Sequence, residues 1–125
     1  MKFSTFMVIY AVVSAVFGLG FVFMPGQILP MYGVEPNAAL NLVGQFLGAA
    51  LVSLALLTWL VRNLSASETR RAIVLALLVG ETIGLILSVI GQLNGIFNVM
   101  GWSVVAVYLL FALGLAYFQF SKSAS

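Results

Sequence analysis

The sequence predicts an all-α fold made for lipid: a polytopic membrane protein, one domain over residues 1–125, built as a bundle of four transmembrane helices. Composition, segment length and charge placement predict it. Of 125 residues, 63% are hydrophobic and only 6% are charged, whereas a water-soluble domain carries about 25% charged residues. Four apolar runs each reach the ~20 residues that cross a ~30 Å hydrocarbon core at 1.5 Å per residue. The five Lys and Arg residues fall on alternate connections and ends of those runs.

The runs extend over about 5–24, 38–61, 72–93 and 99–120, and none has a proline in its interior. Helices are preferred over strands because a lipid-exposed segment must satisfy its own backbone hydrogen bonds. The strict apolar–polar alternation of a membrane barrel strand is also missing. The first connection, Pro25 to Asn37, holds Pro25, Pro30 and Pro36 with Gly26 and Gly33, and predicts a non-helical crossover or a short re-entrant segment. Asn37 is placed to cap the second run, and Ser65 or Ser67 the third. Asn94, Gly95 and Asn98 mark a tight turn that makes the last two helices an antiparallel hairpin.

Lys2 precedes the first run, Arg62, Arg70 and Arg71 lie between the second and third, and Lys122 follows the fourth. The positive-inside rule then puts both termini and the middle connection in the cytoplasm. Lys2 and the first run resemble a secretory leader, but that run exceeds a typical leader core and no good small-x-small cleavage site precedes Pro25. The expectation is a retained helix.

Histidine and cysteine are both absent. That removes the commonest ligands for haem, zinc and iron–sulfur clusters, the usual general base at neutral pH, and every His- or Cys-based nucleophilic mechanism. Paired carboxylates, a phosphate-cradling glycine loop and a metal constellation are missing too, so neither a metal nor a cofactor is identifiable. The net charge of +2 is explained by topology, and no nucleic-acid partner is expected.

Glu81 is the one acidic residue inside an apolar run, where an ionised side chain costs about 2.5–3.5 kcal/mol on insertion scales. It is a candidate proton site, ligand anchor or general acid; a protonated carboxyl locking two helices is the plainer alternative. Gly84, Ser88, Gln92 and Gly95 follow it at three- or four-residue steps. Gly80, Gly84, Ser88 and Gly91 form a small-residue ridge expected to seat a neighbouring helix. On the second run Asn41 and Gln45 accompany Gly44 and Gly48; these amides are expected to face Gln92 and Asn94, as a polar pocket with Glu81 at its floor or simply as interhelical hydrogen bonds. Ala11, Ser14 and Gly18 give the first run its own small face. Tyr108 is deep enough in the fourth to meet Glu81, whereas Trp59, Trp102 and Tyr117 are placed as interface anchors.

Phe17-Gly18-Leu19-Gly20-Phe21, Met24-Pro25-Gly26, Met31-Tyr32-Gly33-Val34, Gly44, Leu47-Gly48-Ala49-Ala50 and Trp59-Leu60 together resemble small bacterial four-helix membrane proteins of the DoxX-like kind, closest to the DUF4345-type branch. The resemblance implies a four-helix fold in a bacterial inner membrane. It also implies association with larger, redox-linked membrane assemblies, although the lack of His and Cys argues against direct electron handling. The leading expectation is a non-catalytic accessory or structural subunit, or a binder of an apolar ligand such as a lipid, quinone or carotenoid, working as a homodimer or within a larger complex. A small proton-coupled transporter using Glu81 and a membrane enzyme with Glu81 as general acid are the alternatives.

Overall fold

The computed structural model describes residues 1–121; Lys122, one of the five basic residues used for orientation, lies outside them. The described chain is all-helical: α1 Phe3–Phe23, α2 Pro25–Met31, α3 Ala38–Leu60, α4 Glu68–Leu93 and α5 Gly101–Phe120. Four of the five, all but α2, are long and apolar enough to cross a membrane.

The helix ends follow from local chemistry. The Asn37 side chain accepts from the Leu40 backbone N–H at 2.9 Å and Ser67 from that of Arg70 at 3.2 Å, so both N-caps are of the expected kind. The Ser67 cap starts α4 four residues before the apolar run does. The proline-bearing connection departs from expectation, because its first half is a helix. Pro25 sits at the start of α2, where an N–H has no intrahelical partner to lose, and Pro30 falls in its last turn. Gly33, at φ 79°, then reverses the chain. Its N–H donates to the Pro30 carbonyl and that of Val34 to Leu29, at 3.0 and 3.1 Å, a Schellman closure. Gly95, at φ 72°, ends α4 by the same pair of bonds, to Gln92 and Gly91.

The chain divides into two compact units, Met7–Arg62 and Met1–Phe6 with Asn63–Ser125. In the first, α1 and α3 run antiparallel and cross at Gly18 and Gly48. A Cβ on Gly48 would stand 2.6 Å from the Gly18 carbonyl oxygen and 2.8 Å from the Val22 nitrogen. Only hydrogen side chains let two backbones approach so closely. In the second unit α4 and α5 form the expected hairpin, and the Phe6 ring lies where a Cβ on Gly114 would go, its Cζ 2.6 Å from that position. Phe3, Phe6, Phe111 and Phe118 form an edge-on and tilted aromatic cluster with centroid spacings of 5.4–6.0 Å. The buried Arg70 guanidinium stacks 3.8 Å from the Phe3 ring centre. Most other large apolar side chains, among them Val43, Phe46, Leu60, Leu87 and Leu110, point outward.

Candidate functional site

In the C-terminal unit, Glu81 is buried at 9% exposure and close enough to Tyr108 for a direct electrostatic interaction. Gly84 makes room for the Tyr108 ring. A Cβ there would lie 2.6 Å from both Cδ1 and Cζ of Tyr108, so the ring occupies the space a side chain would fill. The fourth-run tyrosine thus lies within electrostatic reach of the third-run carboxyl.

The rest of the expected polar face acts locally. Ser88 donates its hydroxyl to the Leu85 carbonyl at 2.9 Å, the back-bond common to serine in a helix. Gln92 donates to the Asn98 carbonyl at 2.9 Å, tying the α4–α5 turn together, and its buried Oε1 has no hydrogen-bond partner. Among the described residues, the ridge expected to seat a neighbour does so at Gly84, whereas Gly80 and Gly91 have no heavy atom within 4 Å of a would-be Cβ. Four helical residues advance 400°, about 40° beyond a full turn, and that drift turns Gly80 to the surface. Among the described residues no three His, Cys, Asp or Glu come together as a metal site would need.

Asn41 and Gln45 belong to the other unit. Gln45 donates to the Val22 carbonyl at 3.0 Å, one of the last four carbonyls of α1, which lack intrahelical donors. Asn41 is half-buried with an unpartnered buried Oδ1. Gly44 and Gly48 are both buried on α3. The hydrogen bonds of Gln45 and Gln92 each run within their own unit.

The same unit contains a feature that residue spacing does not assemble. Beyond the Gly18–Gly48 crossing, α1 and α3 leave a cleft of about 330 Å³ between them, at the low end of the ~300–1,000 Å³ usual for ligand pockets. Ala11 and Ala15 on α1 and Ala55 on α3 leave the space; Leu19, Val52 and Trp59 wall it, with Val12 and Leu56 at the rim. Every lining side chain is apolar apart from the indole N–H of Trp59. At the Trp59 end, the Arg62 guanidinium lies 3.9 Å over the indole ring centre and donates to the Trp59 carbonyl, which caps the last turn of α3. The available signals are the Ala11–Ala15 step and the three-residue spacing of Trp59 and Arg62. Neither shows, in one dimension, which helix lies opposite.

Residues 1–120 match the family described as a domain of unknown function (DUF8292), and the chain belongs to that family. No curated protein and no solved structure matches.

Proposed function

We propose that this member of the DUF8292 family is a non-catalytic integral membrane protein that holds an apolar ligand, a lipid, quinone or carotenoid, in the α1–α3 cleft. In this reading it serves as an accessory subunit of a larger membrane complex or as a homodimer. The observation that carries the reading is the apolar cleft of about 330 Å³, next to a chain with neither histidine nor cysteine. The same reading keeps both termini and the 62–71 connection in the cytoplasm of a bacterial inner membrane. Its support is the placement of all five basic residues and the sequence resemblance to DoxX-like and DUF4345-type proteins.

Purification in mild detergent, followed by extraction and identification of copurifying lipids, pigments and proteins, tests it. A stoichiometric apolar compound that disappears in Ala15→Phe, which fills the cleft, is the expected result. A ligand-free preparation, or a ligand unaffected by that substitution, would sink the reading.

A second reading rests on a separate observation, the buried Glu81 beside Tyr108. A membrane-embedded carboxyl is expensive and marks proton or ligand sites by default. As a proton-coupled transporter the protein would lose transport in Glu81→Gln; as a membrane enzyme with Glu81 as general acid it would lose turnover. Unchanged assembly and unchanged activities in Glu81→Gln would leave the carboxyl a packing hydrogen bond.

A further inference from the structure

We propose that the ligand of the α1–α3 cleft is an anionic phospholipid, its acyl chain lying between Ala11, Ala15 and Ala55 and its phosphate held by Arg62. The inference deepens the cleft-binding reading and rests on it.

Shape comes first. From Ala11 to Leu19 the cleft follows α1 for about 12 Å, at 1.5 Å per residue, and the Gly18–Gly48 backbone contact closes it at the far end. A slot walled by alkyl side chains and floored by methyl groups suits one flexible hydrocarbon chain. A quinone head would bring two carbonyls into a wall whose one side-chain donor is the indole N–H of Trp59.

Charge comes second. Arg62 is anchored beside the cleft by stacking on the lining residue Trp59 and by one hydrogen bond to its carbonyl. A guanidinium has five N–H donors, so most remain for a ligand. Among the described residues it has no carboxylate partner. The chain has three acidic residues in all, and Glu35 alone belongs to this unit. Glu35 precedes the start of α3 while Arg62 follows its end, a helix of 23 residues between them and thus about 34 Å. The planar fork of arginine matches the oxygens of a phosphate, and tryptophan is a residue type enriched at the level where headgroups begin. An apolar slot with a guanidinium that has no carboxylate partner stacked on its Trp59 wall is complementary to a lipid that carries negative charge, and less so to a zwitterionic one.

Trp59 sits in the wall of the cleft, so its fluorescence reports the occupant. In a Trp102→Phe background Trp59 is the sole tryptophan, since the chain has two. The protein is reconstituted in phosphatidylcholine vesicles containing increasing fractions of phosphatidylglycerol or phosphatidylcholine brominated on the acyl chain. Quenching by phosphatidylglycerol is expected at about fivefold lower mole fraction, the ordinary worth of one arginine at an anionic surface. In Arg62→Gln the two lipids should quench alike, while in Ala15→Phe both should quench only as far as bulk contact with the bilayer allows. Equal quenching by the two lipids without Arg62→Gln, with both reduced by Ala15→Phe, overturns the phosphate contact and leaves the cleft reading standing. Quenching unmoved by Ala15→Phe, and by Ala55→Leu should Ala15→Phe not fold, overturns both.

Discussion

The crossing of α1 and α3 depends on two hydrogen atoms, and Gly48→Ala replaces one of them with a methyl group. The new Cβ would stand 2.6 Å from the Gly18 carbonyl oxygen, 2.8 Å from the Val22 nitrogen and 2.9 Å from Val22 Cγ2. Two of these three are backbone atoms, so no rotamer change relieves the contact and the helices themselves must move. Restoring an ordinary separation of at least 3.4 Å from 2.6 Å opens the crossing by about 0.8 Å, and the Gln45–Val22 hydrogen bond of 3.0 Å spans the same seam. Overpacking of this kind costs about 1–3 kcal/mol, against which the better helix propensity of alanine returns up to about 1 kcal/mol. Gly18→Ala, whose nearest contacts are backbone atoms at 3.0 Å, should fall at the low end of the range. Gly80→Ala is the internal control, because nothing lies within 4 Å of its Cβ position. Unfolding in mixed micelles, followed by circular dichroism, ranks the three. The expected order of stability is Gly80→Ala at or above the unsubstituted protein, then Gly18→Ala, then Gly48→Ala. If Gly48→Ala is as stable as Gly80→Ala, the close crossing is not what holds these helices together.

Three further outcomes follow from the same geometry. Gly84→Val forces a branched carbon against the Tyr108 ring and should cost about 1–3 kcal/mol; combining it with Tyr108→Ala should recover much of that, and strictly additive losses in a double-mutant cycle would show that the two do not touch. Arg70→Lys keeps the charge but not the planar face over Phe3, and should lower stability by about 1–2 kcal/mol, the worth of a desolvated cation–π contact; an unchanged melting temperature contradicts the stacking argument. Ser67→Ala removes the α4 cap for about 1 kcal/mol, and amide exchange should rise in the first turn of α4 and nowhere near α5.

Local chemistry makes the long helices legible in the sequence alone. Runs long enough to cross a bilayer, the caps at Asn37 and Ser67, and the turn at Gly95 all follow from residue type and spacing. The α2 helix escapes such a reading because its prolines occupy places a helix tolerates, at its first position and in its last turn; composition alone does not distinguish those from breaking ones. That Glu81 and Tyr108 lie within electrostatic reach agrees with their depths, a quantity the chain carries as residue count. The destinations of Gln45 and Gln92 are not readable, since an amide in an apolar helix takes whichever carbonyl lacks a donor, and helix ends and turns supply those carbonyls close by.

Composition and segment length are enough to specify an all-helical chain with four segments able to cross a membrane, and the absence of histidine and cysteine excludes the chemistry that needs them. Tertiary structure alone decided which small residues matter. Gly18, Gly48 and Gly84 seat a neighbour within the chain while Gly80 and Gly91 do not, although all five are the same residue in similar helices. It also decided that Ala11, Ala15 and Ala55 border empty space beneath Trp59. The reason is physical: an apolar surface costs the same wherever lipid covers it, so hydrophobicity specifies that a helix spans but not what it touches. Contact is set by where two backbones come close enough that a methyl group no longer fits.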